Sequence, residues 1–175
     1  EIIFNKIKFN EDEYGLILNN LTISKNDKIQ KLDLFKINII NRIGHKNDLE
    51  FKRLNNDYYL KGNQFDGARN IKKLFDNSSK SIFSNFKNLN TYIYLDIGKY
   101  YIDEVSYLAN ANGRIQIKNN NIFDANISAK LNNKHKFQLN IQTNKNKQKT
   151  TNLEIEQPEP FIKNYKFIKG FKAVS

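Results

Sequence analysis

Apolar and polar residues alternate with a period of two through much of the second half of the chain. Between Phe123 and Leu131, apolar side chains occupy every second position and mostly polar ones lie between them. The same pattern is found at 93–97, 137–141 and 153–155. Successive side chains of a β-strand point to opposite faces of its sheet, so the alternation predicts strands with one apolar and one polar face.

Asparagine-rich clusters separate these runs, and they predict short hairpin connections. Asparagine tolerates positive φ and hydrogen-bonds its own backbone, and short links make neighbouring strands antiparallel. The clusters are Asn55–Asp57, Asn110–Gly113, Asn119–Asn121, Asn132–His135 and Asn144–Lys149. The predicted strands are residues 1–9, 14–24, 28–40, 48–54, 57–63, 90–98, 100–106, 112–118, 121–131, 135–143 and 149–156.

Two short helices are expected to interrupt the sheet. The first, over 66–76, follows Asp66 as N-cap and has Ala68, Ile71, Leu74 and Phe75 on one face. The second, over 159–168, has Pro160 in its first turn and ends at Gly170. Its predicted apolar face consists of Phe161, Ile162, Tyr165 and Ile168.

The predicted fold class is therefore mainly β, a curved antiparallel meander that forms an open groove of repeating hairpins, with two short helices. Residues 1–77 are expected to be strands that end in a helix, residues 78–90 a polar loop, and residues 91–175 a meander that ends in the second helix. The chain begins with Glu1 and contains no methionine. We therefore expect it to be an interior piece that continues into a longer protein.

The charge of the chain is strongly basic, but its chemistry argues against nucleic acid. The net charge is +11, and arginine occurs only at positions 42, 53, 69 and 114. Surfaces that recognise phosphates or bases favour the bidentate fork of arginine, so lysine-rich solvation is the preferred explanation. Tyr92, Tyr94, Tyr100, Tyr101 and Tyr107 leave a base-stacking platform as a weaker alternative.

Residues for catalysis or metal binding are sparse. Cysteine is absent, which excludes disulfides, thiol catalysis and cysteine zinc sites. His45 and His135 are expected to be solvated in turns, and Asp96, Asp103 and Glu104 to lie at solvated strand ends. We therefore predict no enzyme activity, no catalytic residue, no metal site and no cofactor.

Three segments resemble AsmA-like bacterial envelope proteins of the YhdP type. They are the stretch from Pro158 to Phe171 (PEPFIKNYKFIKGF), the stretch from Asn63 to Arg69 (NQFDGAR), and the hairpin series from Leu89 to Glu156. The resemblance spans roughly residues 57–172. It implies an internal or C-terminal-region fragment of a periplasmic protein, anchored in the inner membrane by a helix outside this chain. It also implies a long β-groove that conducts phospholipid between the inner and outer membranes.

The apolar face of such a sheet needs a cover, and two short helices are too small to supply all of it. We expect phospholipid acyl chains and the remaining segments of the same longer chain to fill the groove, with no nucleic acid partner. The expected lipid-facing residues are Ile93, Leu95, Ile115, Ile117, Phe123, Ile127, Leu131, Phe137, Leu139, Ile141, Leu153 and Ile155. The alternatives are a structural or adhesive β-repeat module with a closed core, a nucleic-acid-binding β-domain and, least favoured, a hydrolase.

Overall fold

The computed structural model describes residues 1–12, 14–70, 81 and 83–165, with the side chains of residues 164 and 165 excepted. These residues form one eleven-stranded sheet whose ends do not meet, which confirms the predicted β fold. A helix covers Glu159–Tyr165, and residues 68–70 are also helical. The strands are β1 (Ile2–Glu11), β2 (Tyr14–Ile23), β3 (Ile29–Lys31), β4 (Leu34–Ile40), β5 (Lys46–Leu54), β6 (Asp57–Asp66), β7 (Thr91–Tyr101), β8 (Tyr107–Lys118), β9 (Asn121–Leu131), β10 (His135–Thr143) and β11 (Lys149–Ile155).

The strands lie in the sheet in the order in which they occur in the chain. Only β3 lies off this path, paired with β2. Every neighbouring pair is antiparallel except β6 and β7, which run parallel. The prediction of an entirely antiparallel meander was therefore wrong at this one junction. A parallel pair needs a crossover that returns the chain to the same end of the sheet, and residues 67–90 provide it.

Several predicted boundaries differ from the structure. The strand expected at 28–40 is divided into β3 and β4. The strands expected at 90–98 and 100–106 are one strand, β7, followed by a loop in which Asp103 Oδ1 accepts hydrogen bonds from Val105 N and Ser106 N. That side-chain bond competes with a strand ladder, and it ends the strand.

The turn expected at Asn110–Gly113 lies inside β8. Asn110 has a φ of 50°, and the register between β8 and β9 shifts between Ala109 and Asn112. The positive φ of asparagine therefore makes a β-bulge here rather than a hairpin. By contrast, Asn119 and Asn120 form the expected two-residue turn, with φ values of 49° and 65°.

One row of apolar residues crosses the whole sheet in register. Each member is the cross-strand partner of the next, so all members share one face. The row is Ile7, Leu18, Phe35, Phe51, Leu60, Leu95, Gly113, Ile127, Leu139 and Leu153. We call this face of the sheet the apolar face.

The adjacent row lies on the opposite face, and it is polar at all but one position. Its members are Lys8, Ile17, Lys36, Glu50, Lys61, Asp96, Asn112, Ser128, Gln138 and Glu154. Lys36, Glu50, Lys61 and Asp96 alternate in sign, and Lys36 Nζ lies 3.7 Å from Glu50 Oε2. Opposite charges on directly paired strands stabilise this register against a slip.

Both predicted helices are borne out where the structure describes them. Asp66 Oδ1 accepts a hydrogen bond from Ala68 N, which confirms Asp66 as the cap of the first helical turn. Phe161 is buried on the second helix. Predicted helix residues 71–76 and 166–168 lie outside the described residues, and so do the side chains of Ile71, Leu74, Phe75, Tyr165 and Ile168.

Gly113 is the one residue of the apolar row that has no side chain, and the fold leaves no room for one. A Cβ at this position would lie 2.1 Å from the carbonyl oxygen of Asn126. We expect Gly113→Ala to lower the free energy of unfolding by at least about 2 kcal/mol, because β8 and β9 must separate to admit the methyl group. Urea denaturation measures this change.

Gly44→Ala is the matched control. Gly44 has a φ of +85°, but a Cβ there would meet no atom within 4 Å. Gly44→Ala should lower the free energy of unfolding by only about 1 kcal/mol, which is the cost of placing a residue with a side chain in the left-handed conformation. Equal costs for the two variants would contradict the close approach of β8 and β9 at Gly113.

Candidate functional site

The apolar face is the candidate site, and its C-terminal half is covered. Five of the residues predicted to face lipid are buried, and they pack in two hydrophobic clusters: Ile93, Ile117, Leu131, Phe137 and Leu139. Leu95, Ile115, Ile127, Ile141, Leu153 and Ile155 are partly buried against the same clusters. In this structure these residues form the packed core of the sheet.

The helix Glu159–Tyr165 covers one end of this half. Phe161 is 1% exposed, and its ring stacks on Phe137 with 5.5 Å between centroids. Ile102, Leu108 and Leu131 complete the cluster around it. A single aromatic side chain therefore fixes the helix across β8, β9 and β10.

Residues 83–89, the last part of the connection between β6 and β7, cover the other end. Phe83, Phe86 and Leu89 pack against Tyr58 and Ile93. Ile29 of β3 exchanges backbone hydrogen bonds with Asn85 and Lys87, and so holds the segment in place. Asn120 accepts a hydrogen bond from Leu89 N and donates one to the carbonyl of Phe86. The segment is therefore tied to β3 and to the β8–β9 turn.

Phe123 is placed differently from the other residues predicted to face lipid. The register shifts next to it, between Gln116 and Ile117 of the facing strand. The ring of Phe123 lies under Lys118 Nζ, 3.4 Å from the ring centroid. It makes a cation–π contact with this lysine and is not a member of either hydrophobic cluster.

The N-terminal half of the apolar face is open by comparison. Strands β1, β2 and β4 are described throughout, and none of their residues is buried. Ile7, Leu18 and Phe35 continue the apolar row there in a partly exposed state. Phe9 is 65% exposed, and it pairs with Leu16, which pairs with Ile37. The residues predicted from the sequence to face lipid lie in the other half, because the alternation of apolar and polar residues is most regular where the core is closed.

The opposite face carries polar ladders rather than a reactive site. Asn126 donates a hydrogen bond to Asn140, and the Arg114 guanidinium lies 5.1 Å from the ring centroid of Tyr92. These side chains line a depression of about 260 Å³. Tyr59 and Tyr94 stack beside it, with 5.0 Å between centroids. Each of Tyr59, Tyr92 and Tyr94 is thus paired with a side chain on a neighbouring strand.

His45 is not the solvated turn residue that the sequence predicted. Its side chain is only 11% exposed and stacks on Tyr101 with 3.8 Å between centroids. Nε2 lies 2.9 Å from the carbonyl oxygen of Glu104, so this nitrogen carries the proton and donates. Nδ1 is buried and lies 3.6 Å from Asp66 Oδ2. The ring joins the β4–β5 turn, the end of β6 and the β7–β8 loop.

An open cleft of about 700 Å³ lies beside this histidine. It is bounded by Ile43, Asp66, Ala68, Arg69, Ile102, Asp103, Glu104, Val105, Ser106, Glu159, Pro160 and Lys163. Nε2 of His45 is occupied by the Glu104 carbonyl, and Nδ1 lies 3.6 Å from Asp66 Oδ2 without a hydrogen bond. Among the described residues, no group of three His, Cys, Asp or Glu side chains is arranged to hold a metal ion.

His135 behaves as the sequence predicted. Its side chain is 40% exposed, and Nδ1 lies 4.0 Å from Glu156 Oε2, at the limit of an ion pair. The difference between the two histidines could not be read from local sequence. It depends on Asp66 and Glu104, which are distant in the chain and meet His45 only through the sheet order.

Comparison with protein-family models, with curated proteins and with solved structures gives no match to this chain. In the part of the chain that the structure describes, no helix is long and apolar enough to cross a membrane.

We expect His45→Ala to lower the free energy of unfolding by about 2 kcal/mol, because it leaves the Glu104 carbonyl without its donor and removes a ring that stacks on Tyr101. His135→Ala is the control, and it should cost less than about 0.5 kcal/mol, as an exposed pair does. Urea denaturation of both variants measures the difference. Equal effects would show that the contacts of His45 do not hold the three elements together.

Tyr58 gives the covered end of the apolar face a dependence on alkaline pH. Its burial raises the pKa of the phenol above the ordinary 10.0; Arg53 lowers this pKa and Asp33 raises it by smaller amounts. A raised pKa contributes stability that is complete below pH 10 and is lost as pH rises through the folded-state pKa. Tyr58→Phe should therefore lose less stability than the unsubstituted protein above pH 10, in urea titrations at several pH values. Tyr14→Phe, at an exposed position, controls for loss of a hydroxyl.

Proposed function

We propose that this chain is a segment of a β-groove that binds the acyl chains of phospholipid on its apolar face. The observation that carries the proposal is the apolar row, which continues from the buried half of the sheet into strands with no buried residue. Monomeric proteins rarely leave a large contiguous apolar surface to water. An acyl chain that covers Leu18 and Phe35 would gain about 0.8 kcal/mol for each CH₂ group buried.

The lipid contact belongs, on this proposal, to β1, β2 and β4 rather than to the strands chosen from the sequence. Leu139 and Phe137 are already in contact with the cluster around Phe161. Leu16, Leu18, Phe35 and Ile37 form two adjacent cross-strand pairs that no buried cluster includes. A chain lying across these strands would run along the apolar rows.

The wider setting follows from the resemblance to AsmA-like envelope proteins. We propose a periplasmic protein anchored in the inner membrane through a segment outside this chain, with phospholipid conducted toward the outer membrane. We assign the chain a binding role and no catalytic one. Polar side chains on the opposite face would allow the groove to stand in water.

A closed structural β-module is the competing candidate, and one observation favours it. The C-terminal half of the apolar face is packed as an ordinary core under Phe161 and Leu89, both at most 9% exposed. If the N-terminal half were closed in the same way by other segments of a longer chain, no acyl chain could enter. Lipid contact at β1, β2 and β4 is expected of the groove and not of the closed module, so it distinguishes the two functions.

Photocrosslinking tests the proposal. A photoreactive amino acid at Leu18 or Phe35 should capture phospholipid from vesicles, because both positions lie on the apolar face. At Lys8 or Lys36, on the opposite face, it should capture little. Lengthening the acyl chain by one CH₂ should strengthen binding about fourfold.

The control and the contradicting result use the same variants. Circular dichroism should show the same sheet in all four. Leu18→Asp should abolish capture at Phe35 without unfolding the protein, because Leu18 is not buried, whereas Leu139→Asp should unfold it. Equal capture on both faces, or none on either in folded protein, would contradict lipid binding and support the closed module.

A further inference from the structure

Arg53 places a positive charge on the apolar face of the sheet. It follows Phe51 by two residues on β5, and side chains two residues apart on a strand point to the same face. Its cross-strand partner Tyr58 is buried in the hydrophobic cluster that includes Leu89. A charge among apolar side chains is costly unless an opposite charge or hydrogen bonds compensate it.

The nearest acidic side chain along the backbone contacts of Arg53 is engaged with other residues. The Asp33 carbonyl accepts a hydrogen bond from Arg53 N, but Asp33 Oδ2 accepts one from Asn20 Nδ2 at 2.8 Å and lies 3.3 Å from Lys31 Nζ. Within the described part of the chain, Arg53 forms no ion pair, and its Nε is buried without a hydrogen bond. The guanidinium can therefore donate to a ligand without giving up a contact within the protein.

Arg53 lies where the open part of the apolar row meets the covered part. From Ile7 to Phe51 the row crosses three strand spacings, or about 14 Å. Phe51 then packs against the cluster around Tyr58, under the cover of residues 83–89. An acyl chain that lies along the open row therefore has one end at Phe51, and Arg53 is about 7 Å further along the same strand.

The chemistry of the guanidinium matches a phosphate group. It is planar and permanently charged, and its parallel N–H groups can donate to two oxygens of one phosphate. In a phospholipid the phosphate lies between the acyl chains and water. Arg53 has the same position on this sheet, because its Nε is buried while the side chain as a whole is partly exposed.

We propose that Arg53 binds the phosphate of the phospholipid whose acyl chains occupy the open part of the apolar face. The inference rests on the lipid binding proposed above, and it adds the group that orients the lipid. The phosphate accepts two hydrogen bonds from the guanidinium, and the acyl chains extend from Phe51 toward β1. A lipid without a phosphate would bind the same strands more weakly and without a fixed direction.

Nuclear magnetic resonance of the arginine Nε–H groups tests the phosphate contact without acyl chains. The chain contains only four arginines, and loss of one signal in Arg53→Lys identifies that of Arg53. Glycerol 3-phosphate, which is the head-group fragment, should shift this signal more than those of Arg42, Arg69 and Arg114. No selective shift of the Arg53 signal at concentrations up to about 50 mM would overturn the proposal.

Calorimetric titration with two lipids of equal chain length tests the role of Arg53 in lipid binding. Arg53→Gln should weaken binding of dioctanoyl phosphatidylglycerol at least about tenfold, because charge-assisted hydrogen bonds are lost, and should leave binding of dioctanoylglycerol unchanged. Lys52→Gln is the matched control, since it removes the same charge from the adjacent, exposed position on the opposite face. It should change either affinity by less than about twofold. Circular dichroism should show both variants folded.

The outcomes separate this inference from the lipid binding on which it rests. If Arg53→Gln and Lys52→Gln bind the phospholipid equally well, the phosphate contact is overturned while acyl binding stands. If the unsubstituted protein binds neither lipid, the lipid-binding proposal itself fails. Glycerol 3-phosphate that binds as tightly as the phospholipid would also overturn the inference, because Arg53 would then serve a free phosphate rather than a lipid.

Discussion

The register of the strands is the constraint on which the rest of this structure depends. Side chains alternate with a period of two, so a slip of one residue in any pair would exchange the apolar and polar faces of every strand beyond it. Ten strands keep the same parity from Ile7 to Leu153. The alternating charges from Lys36 to Asp96 oppose a slip on one face. On the other, the close contact at Gly113 admits only one alignment of β8 and β9.

Cover for the apolar face is unevenly distributed along this register. Phe161 and the segment around Leu89 cover the two hydrophobic clusters, one on β8 to β10 and the other reaching from β5 to β9. The N-terminal strands have neither cover, and β1 is held by β2 alone. Local opening requires little energy where few apolar contacts are lost, so β1 and β2 are the part of the sheet most ready to admit a ligand. The C-terminal half is thus the rigid part of the sheet, and the N-terminal strands are the part whose surface can adapt.

The sequence was sufficient for strands, turns and the cap at Asp66, because these depend on residues close together in the chain. Alternation located most of the strands, and the turn at Asn119–Asn120 followed from the backbone preference of asparagine. The parallel pairing of β6 with β7 could not be predicted, since nothing local distinguishes a long loop from a crossover. Asn110 shows the same limit: positive φ is compatible with a hairpin or with a bulge, and the facing strand decides which of the two forms.

The candidate site was harder to predict from the sequence than the fold. The regular alternation of Phe137 and Leu139 marks a face that the protein itself covers, while the less regular strands β1, β2 and β4 contain no buried residue. His45 was misjudged because the residues that bury it approach only after the crossover has placed β7 beside β6.

Each strand of this sheet contacts its immediate neighbours in the strand order and little else. An architecture of this kind is nearly one-dimensional, in the manner of repeat proteins, and its interfaces are local. Duplication of one hairpin adds two strands, restores the direction of the chain and leaves every older interface unchanged. Gain or loss of a single strand would reverse the edge and require a new crossover. The width of such a sheet is therefore free to evolve in steps of two strands, with selection acting on length separately from the packing of the core.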